Sequence, residues 1–177
     1  GAGRTINGGP TPAQQTDGCR SCKPVGGMTG LRVLMVDDDT YLQILLSMAL
    51  PDLERTEATG IAEATALVKE RQFDAIVIDR RLPDGDGLDL VRALRRKGSK
   101  AATTPIVVFT AGHDERDRVS LLRAGADEYL AKMAEVADLS GLLHRIERLV
   151  GMTPTERSAR RRDLVKRLRA GEVGDLD

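Results

Sequence analysis

Aromatic residues are nearly missing: 177 residues include two Tyr, two Phe and no Trp. The core must therefore come from Val, Leu, Ile, Ala and Met. Surfaces that work by presenting rings, such as base-stacking platforms and polyproline grooves, are excluded. Cysteine is scarce too. The only two, Cys19 and Cys22, sit near the N-terminus, which leaves no disulfide framework and no sign of an oxidising compartment. No apolar run reaches the length of a membrane span or a signal-peptide core, and a cytoplasmic chain is expected.

Net charge is absent as well, because 27 Lys and Arg balance 27 Asp and Glu. The balance hides two regions. Residues 31–152 hold 17 basic and 21 acidic residues, a net of −4, while residues 153–170 hold 7 basic and 2 acidic, a net of +5. An acidic body and a basic tail follow. With 41% hydrophobic and 31% charged residues, the chain is globular and long enough for one ordinary domain with length to spare.

Residues 1–30 are rich in glycine, with three prolines and almost no large apolar residue; they are expected to form a flexible leader that buries nothing. From Leu31 to Val150, short β-type apolar runs alternate with helical patterns. The expected strands are Leu31–Val36, a weak Arg55–Ala58, Ala75–Ile78, Pro105–Phe109 and Glu128–Leu130. The expected helices are Tyr41–Leu50, Ile61–Arg71, Gly87–Arg96, Asp114–Ala124 and Ala137–Val150. Five βα units imply an α/β fold, a doubly wound parallel sheet with helices on both faces. Two strand orders are natural, and both put ligands at the carboxyl ends of the strands. The run Thr153-Pro154-Thr155-Glu156 is a capping box that opens a further, basic helix over 153–171, followed by a tail at 172–177.

Chemistry collects at those strand ends. Asp37, Asp38 and Asp39 follow the first strand, Asp79 the third, Thr110 the fourth and Lys132 the fifth. A parallel sheet would gather them on one edge as several carboxylates, a hydroxyl and an ammonium. Crowded carboxylates favour a cation, and oxygen ligands without His or Cys select a hard metal such as Mg²⁺. An Asp beside that metal can attack phosphorus and become an aspartyl phosphate, with the metal and Lys132 neutralising the phosphoryl oxygens.

Val36-Asp37-Asp38-Asp39, the run from Ile78-Asp79 to Asp86-Gly87, Thr110-Ala111 and the run from Gly125-Ala126-Asp127 to Ala131-Lys132 resemble response-regulator receiver domains of two-component signalling. The resemblance spans roughly residues 31–150. It implies a flavodoxin-like (βα)5 fold with strand order 2-1-3-4-5 and an extra C-terminal helix. It also implies Asp79 as phosphoacceptor, and Mg²⁺ held by Asp37, Asp38, Asp79 and the backbone carbonyl of Arg81. Lys132 would contact the phosphoryl group, with Thr110 and Tyr129 as the switch pair. The implied partners are a histidine kinase or phosphotransfer protein and a downstream protein target; no DNA-binding domain is recognised, and a homodimer stays open. Such a protein catalyses only its own phosphorylation and dephosphorylation.

Two positions depart from the family. Met133 stands where Pro is common, and a cis bond before a non-proline costs roughly 2.5–4 kcal/mol, so a trans link is expected there. Arg81 replaces shorter residues and is expected to lie over the phosphoryl group and slow attack by water. Two other functions compete: a phosphorylation-independent binding module, and a Mg²⁺-dependent phosphohydrolase, which would need a second Asp where Arg81 stands. Blander roles suit other motifs. Asp39 reads as a helix N-cap. The Asp84-Gly85-Asp86-Gly87 run reads as a tight turn with solvated carboxylates. Cys19 and Cys22 read as free thiols, His113 and His144 as no metal ligands, and the helix over 154–170 as a solvated, weakly docked extension.

Overall fold

In a computed structural model, residues 30–111, 115–132 and 139–172 are described. The leader with Cys19 and Cys22, His113, Met133 and residues 173–177 lie outside them. Along the chain run β1 (Arg32–Val36), α1 (Thr40–Ala49), β2 (Glu54–Ala58), α2 (Ile61–Glu70) and β3 (Ala75–Ile78). A two-stranded ribbon follows, β4 (Arg81–Leu82) and β5 (Gly85–Asp86), and then α3 (Gly87–Leu94), β6 (Ile106–Thr110) and α4 (Glu115–Ala124). The last elements are β7 (Glu128–Ala131), α5 (Leu139–Gly151) and α6 (Pro154–Arg169).

The aliphatic runs pair as one parallel five-stranded sheet in the order β2-β1-β3-β6-β7. Leaving the ribbon aside, this is the flavodoxin-like order 2-1-3-4-5. The central β3 is buried along its whole length, which explains its unbroken Ala-Ile-Val-Ile run. The edge strand β2 buries only Ala58, and its sequence signal is correspondingly weak. Alternate strand residues face two cores. Leu42 and Leu46 of α1 and Leu142, Ile146 and Leu149 of α5 cover one; Val68 of α2, Leu90 and Val91 of α3 and Leu121 of α4 cover the other.

Local rules set the element ends. The Asp39 side chain accepts from the N–H groups of Tyr41 and Leu42 and so caps α1. The N-cap of α2 is Gly60, which has no side chain to offer. Asp84 replaces it across the fold, accepting from the N–H of Ile61 at 2.8 Å and of Ala62 at 3.0 Å. Asp86 caps α3 through the Leu88 N–H. Both carboxylates of this turn stay in contact with solvent, as expected, and in addition each accepts from a helix N-terminus, where the orphan N–H groups attract anions.

The basic C-terminal helix differs from expectation. Its capping box forms as read, with Thr153 and Glu156 bonding reciprocally. The helix is docked rather than solvated: Arg157, Leu164 and Leu168 are buried, and the two leucines pack on Leu122 of α4. Arginines spaced one turn apart look like a solvated face unless buried acids await them, and Asp127 and Glu128 do.

Gly87 is required by space. A Cβ there would stand 2.2 Å from the backbone oxygen of Asp79, so Gly87→Ala forces the turn after β3 apart. The expected cost is about 1–3 kcal/mol, measured as a lowered urea midpoint at unchanged slope.

Candidate functional site

The parallel sheet brings the ends of β1, β3, β6 and β7 to one edge. Asp37 and Asp38 directly follow β1, Asp79 directly follows β3, Thr110 ends β6 and Lys132 directly follows β7. One carboxylate oxygen from each of Asp37, Asp38 and Asp79 lies within 4.8 Å of the others. Asp37 and Asp79 are buried, and Asp38 is open to solvent. Lys132 Nζ bridges the two buried acids, 2.7 Å from Asp37 Oδ2 and 2.9 Å from Asp79 Oδ2. Asp37 Oδ1 accepts from the Asp39 N–H at 2.9 Å, and the Gln43 side chain donates to the Asp37 carbonyl at 2.7 Å. No hydrogen bond from the described residues reaches Asp79 Oδ1.

The electrostatics are those of a site short of positive charge. Burial pushes the Asp37 carboxyl above its ordinary value; Lys132 and the Asp39 N–H offset this only in part. Burial alone would lower Lys132, but its hydrogen bonds to Asp37 and Asp79, together with their charges, hold it above the ordinary lysine value, so it stays an ammonium. One ammonium faces three carboxylates. The all-oxygen donor set and its residual negative charge fit a hard divalent cation.

The other expected residues are placed differently. Arg81 opens the ribbon opposite Asp86; its side chain is exposed, and its carbonyl as a ligand rests on the resemblance alone. Thr110 pairs with Ala131 through the β6–β7 register, and its side chain is outside the described set. The Tyr129 ring is 7% exposed and already packed in a core cluster, with the Arg118 guanidinium 5.2 Å from its centroid. A switch at Tyr129 therefore starts from a buried ring. Arg80 went unnoticed in the sequence. Its guanidinium joins Asp117 of α4 at 2.7 Å and Asp86 at 3.5 Å, and only its place beside Asp79 could have drawn attention to it.

Residues 33–144 match the response regulator receiver domain family. The chain belongs to that family. This receiver domain is 37% identical over 134 residues to the transcriptional regulatory protein PrrA of Mycobacterium tuberculosis, a match covering 75% of the chain and 56% of PrrA. It is 34% identical to the same organism's transcriptional regulatory protein TcrA, over 73% of the chain and 49% of TcrA. The chain thus spans about half the length of these relatives. Among solved structures, the HemR receiver domain of Leptospira biflexa superposes with a TM-score of 0.60 at 32% identity, covering 70% of this chain and 96% of that one. The chemotaxis response regulator CheY4 of Vibrio cholerae gives 0.60 at 28% identity, covering 67% and 99%.

A receiver domain with this donor set is expected to bind Mg²⁺ in a saturable calorimetric titration. Asp38→Asn changes the exposed carboxylate of the cluster without disturbing the buried pair and should weaken binding at least about tenfold, the low end of the loss when even a supporting group of a metal site is removed.

Proposed function

We propose that this chain is a phosphorylation switch in which Asp79 accepts a phosphoryl group from a phosphohistidine of a partner kinase or phosphotransfer protein. The supporting observation is the pair of buried carboxylates bridged by Lys132, with Asp79 Oδ1 left without a hydrogen-bond donor among the described residues. In the transfer, Asp79 Oδ1 attacks phosphorus as the bond to the donor nitrogen breaks, and the imidazole leaves with its electron pair and takes up a proton. Lys132 faces the transferred oxygens and balances their charge. Mg²⁺ held by Asp37, Asp38 and Asp79 supplies further neutralisation of phosphoryl charge when bound.

Hydrolysis of the aspartyl phosphate by water resets the protein, so it turns over its own modification and acts on no separate substrate. Arg81 is exposed next to this site and would hinder that water. The phosphohydrolase alternative is disfavoured, because the second acid–base Asp it needs would replace Arg81. Loading would shift Thr110 and Tyr129 and so change what a downstream protein meets. We take the compartment to be the cytoplasm, where ATP charges a donor histidine.

We assign the approach of a protein donor to α1, whose N-terminus, capped by Asp39, borders the site. There Tyr41, Ile44 and Met48 form an exposed apolar stripe, 70%, 52% and 75% accessible, at one-turn spacings. This is the surface we assign to the donor.

Incubation with acetyl phosphate and Mg²⁺ should add about one phosphoryl group by intact mass, and Asp79→Asn should abolish the gain. A chain that gains nothing from acetyl phosphate or from a kinase would be a phosphorylation-independent binding module instead. A second prediction separates donor docking from chemistry. Ile44→Asp is expected to slow transfer from a phosphohistidine protein at least about tenfold, as loss of a central apolar contact does, while the acetyl phosphate reaction keeps its rate.

A further inference from the structure

Helix α6 is pinned to the domain. Arg157, 5% exposed, donates to the Leu149 carbonyl at 3.0 Å and also to the carbonyls of Met152 and Thr103. One side chain thereby joins α6 to the end of α5 and to the loop before β6. Arg160 and Arg161 turn inward as well, onto the buried Glu128 and Asp127, and Leu164 and Leu168 pack on Leu122 of α4. The groove between α4 and α6 is therefore a standing part of the surface.

The cations left outside have no such partners. On α6, Ser158, Arg161, Arg162, Val165, Lys166 and Arg169 recur at one-turn spacings and share one side. Two hollows lie along the groove that this side forms with α4. The larger, about 470 Å³, has Arg123 of α4 and Arg161, Arg162 and Lys166 of α6 around it, with Leu122 and Val165 as its apolar part. The smaller, about 360 Å³, sets Arg116 and Arg169 around Val119 and Leu168. Among the described residues no acid lines either hollow. Arg161 is committed to Asp127, and Arg162 holds the Ser158 hydroxyl at 3.0 Å. Arg123, Arg162 and Lys166 are exposed, and none of the three has an acidic partner among the described residues. Glu172, the acid nearest the end of α6, is met instead by Arg167, which does not line the groove.

Three unpaired cations gathered around one hollow repel each other and together attract an anion. Guanidinium forks and an ammonium suit phosphate oxygens above other anions. A concave space of this volume takes a small molecule. Its apolar part would cover an uncharged ring, and a guanidinium plane can stack on that ring where aromatic side chains are missing.

We propose that the larger hollow between α4 and α6 binds a nucleoside polyphosphate, with the phosphates on Arg123, Arg162 and Lys166 and the base over Leu122 and Val165. The site shares no residue with the carboxylate cluster and does not depend on phosphorylation of Asp79. The test titrates the full chain with ATP and GTP by calorimetry, in EDTA so that no divalent metal occupies the acidic cluster, and follows amide NMR shifts in parallel. One equivalent of nucleotide should bind, with shifts confined to residues 116–125 and 158–169, and rising salt should weaken it. Arg162→Glu and Lys166→Glu, both at exposed positions without an acidic partner, should each keep the fold and lower affinity at least about tenfold, the low end for lost hydrogen bonds to a charged group. Arg167→Glu, on the same helix but outside the groove, should leave it unchanged. Inorganic tripolyphosphate should bind at least about tenfold more weakly, because it leaves the apolar part uncovered. No binding of either nucleotide, shifts centred on Asp37 and Asp79, or an equal loss in Arg167→Glu overturns the site. Tripolyphosphate binding as tightly as ATP, or a short DNA duplex binding more tightly than both nucleotides, overturns the nucleotide as its occupant.

Discussion

Two buried carboxylates facing one another need a counter-charge, and Lys132 provides it from the last strand of the sheet. Without that ammonium, Asp37 and Asp79 would combine mutual repulsion with the cost of leaving water. The rest of the site follows from this bridge. It ties the ends of β1 and β3 to the edge strand β7, and it occupies one oxygen of each acid. The exposed Asp38 is left to complete the cluster of three carboxylates. The parallel order of the strands is what makes the bridge geometrically available, since residues 53 positions apart in the chain finish on one edge.

Much of this arrangement was legible in the sequence because its signals are local and strong. Aliphatic runs ended by Asp37, Asp79 and Lys132 mark buried strands with chemistry at their carboxyl ends, and the central β3 was as plain as any. The less legible parts depend on distant partners. The β2 strand is an edge that buries little, so its residues advertise little. Asp84 looks like any turn aspartate until the fold brings it to a helix that lacks a cap of its own. Asp127 and Glu128 were the hardest. Acidic residues are rarely buried, and the six arginines around them come from three separate segments: Arg95 at the end of α3, Arg145 and Arg148 on α5, and Arg157, Arg160 and Arg161 on α6.

That cluster also accounts for the uneven charge of the chain. The surplus of arginine in the last helix is not simply a solvated coat, since three of its members satisfy acids inside the body. The crowding bears on the guanidinium that the body itself supplies to Asp127. Burial, opposed by Asp127 but reinforced by Arg161 and Arg157, pushes Arg95 down to about 10, and its position is held by backbone carbonyls of Gly125 and Thr104. Gly125 itself, with φ at +114°, ends α4 in a conformation suited to glycine and leaves the Arg95 side chain room to pass.

The cap that Asp84 places on α2 has a consequence for the order in which the molecule assembles. The helix spans residues 61–70, yet its first N–H groups are satisfied by a residue 22 and 23 positions later, beyond the third strand. Local sequence alone cannot finish the first turn of this helix. It closes only when the third strand has joined the first and the ribbon behind it has formed, a contact whose loop-closure entropy must be met before it rewards the chain. The amino end of α2 is therefore completed by the turn that follows Asp79 and not by its own neighbours in the chain.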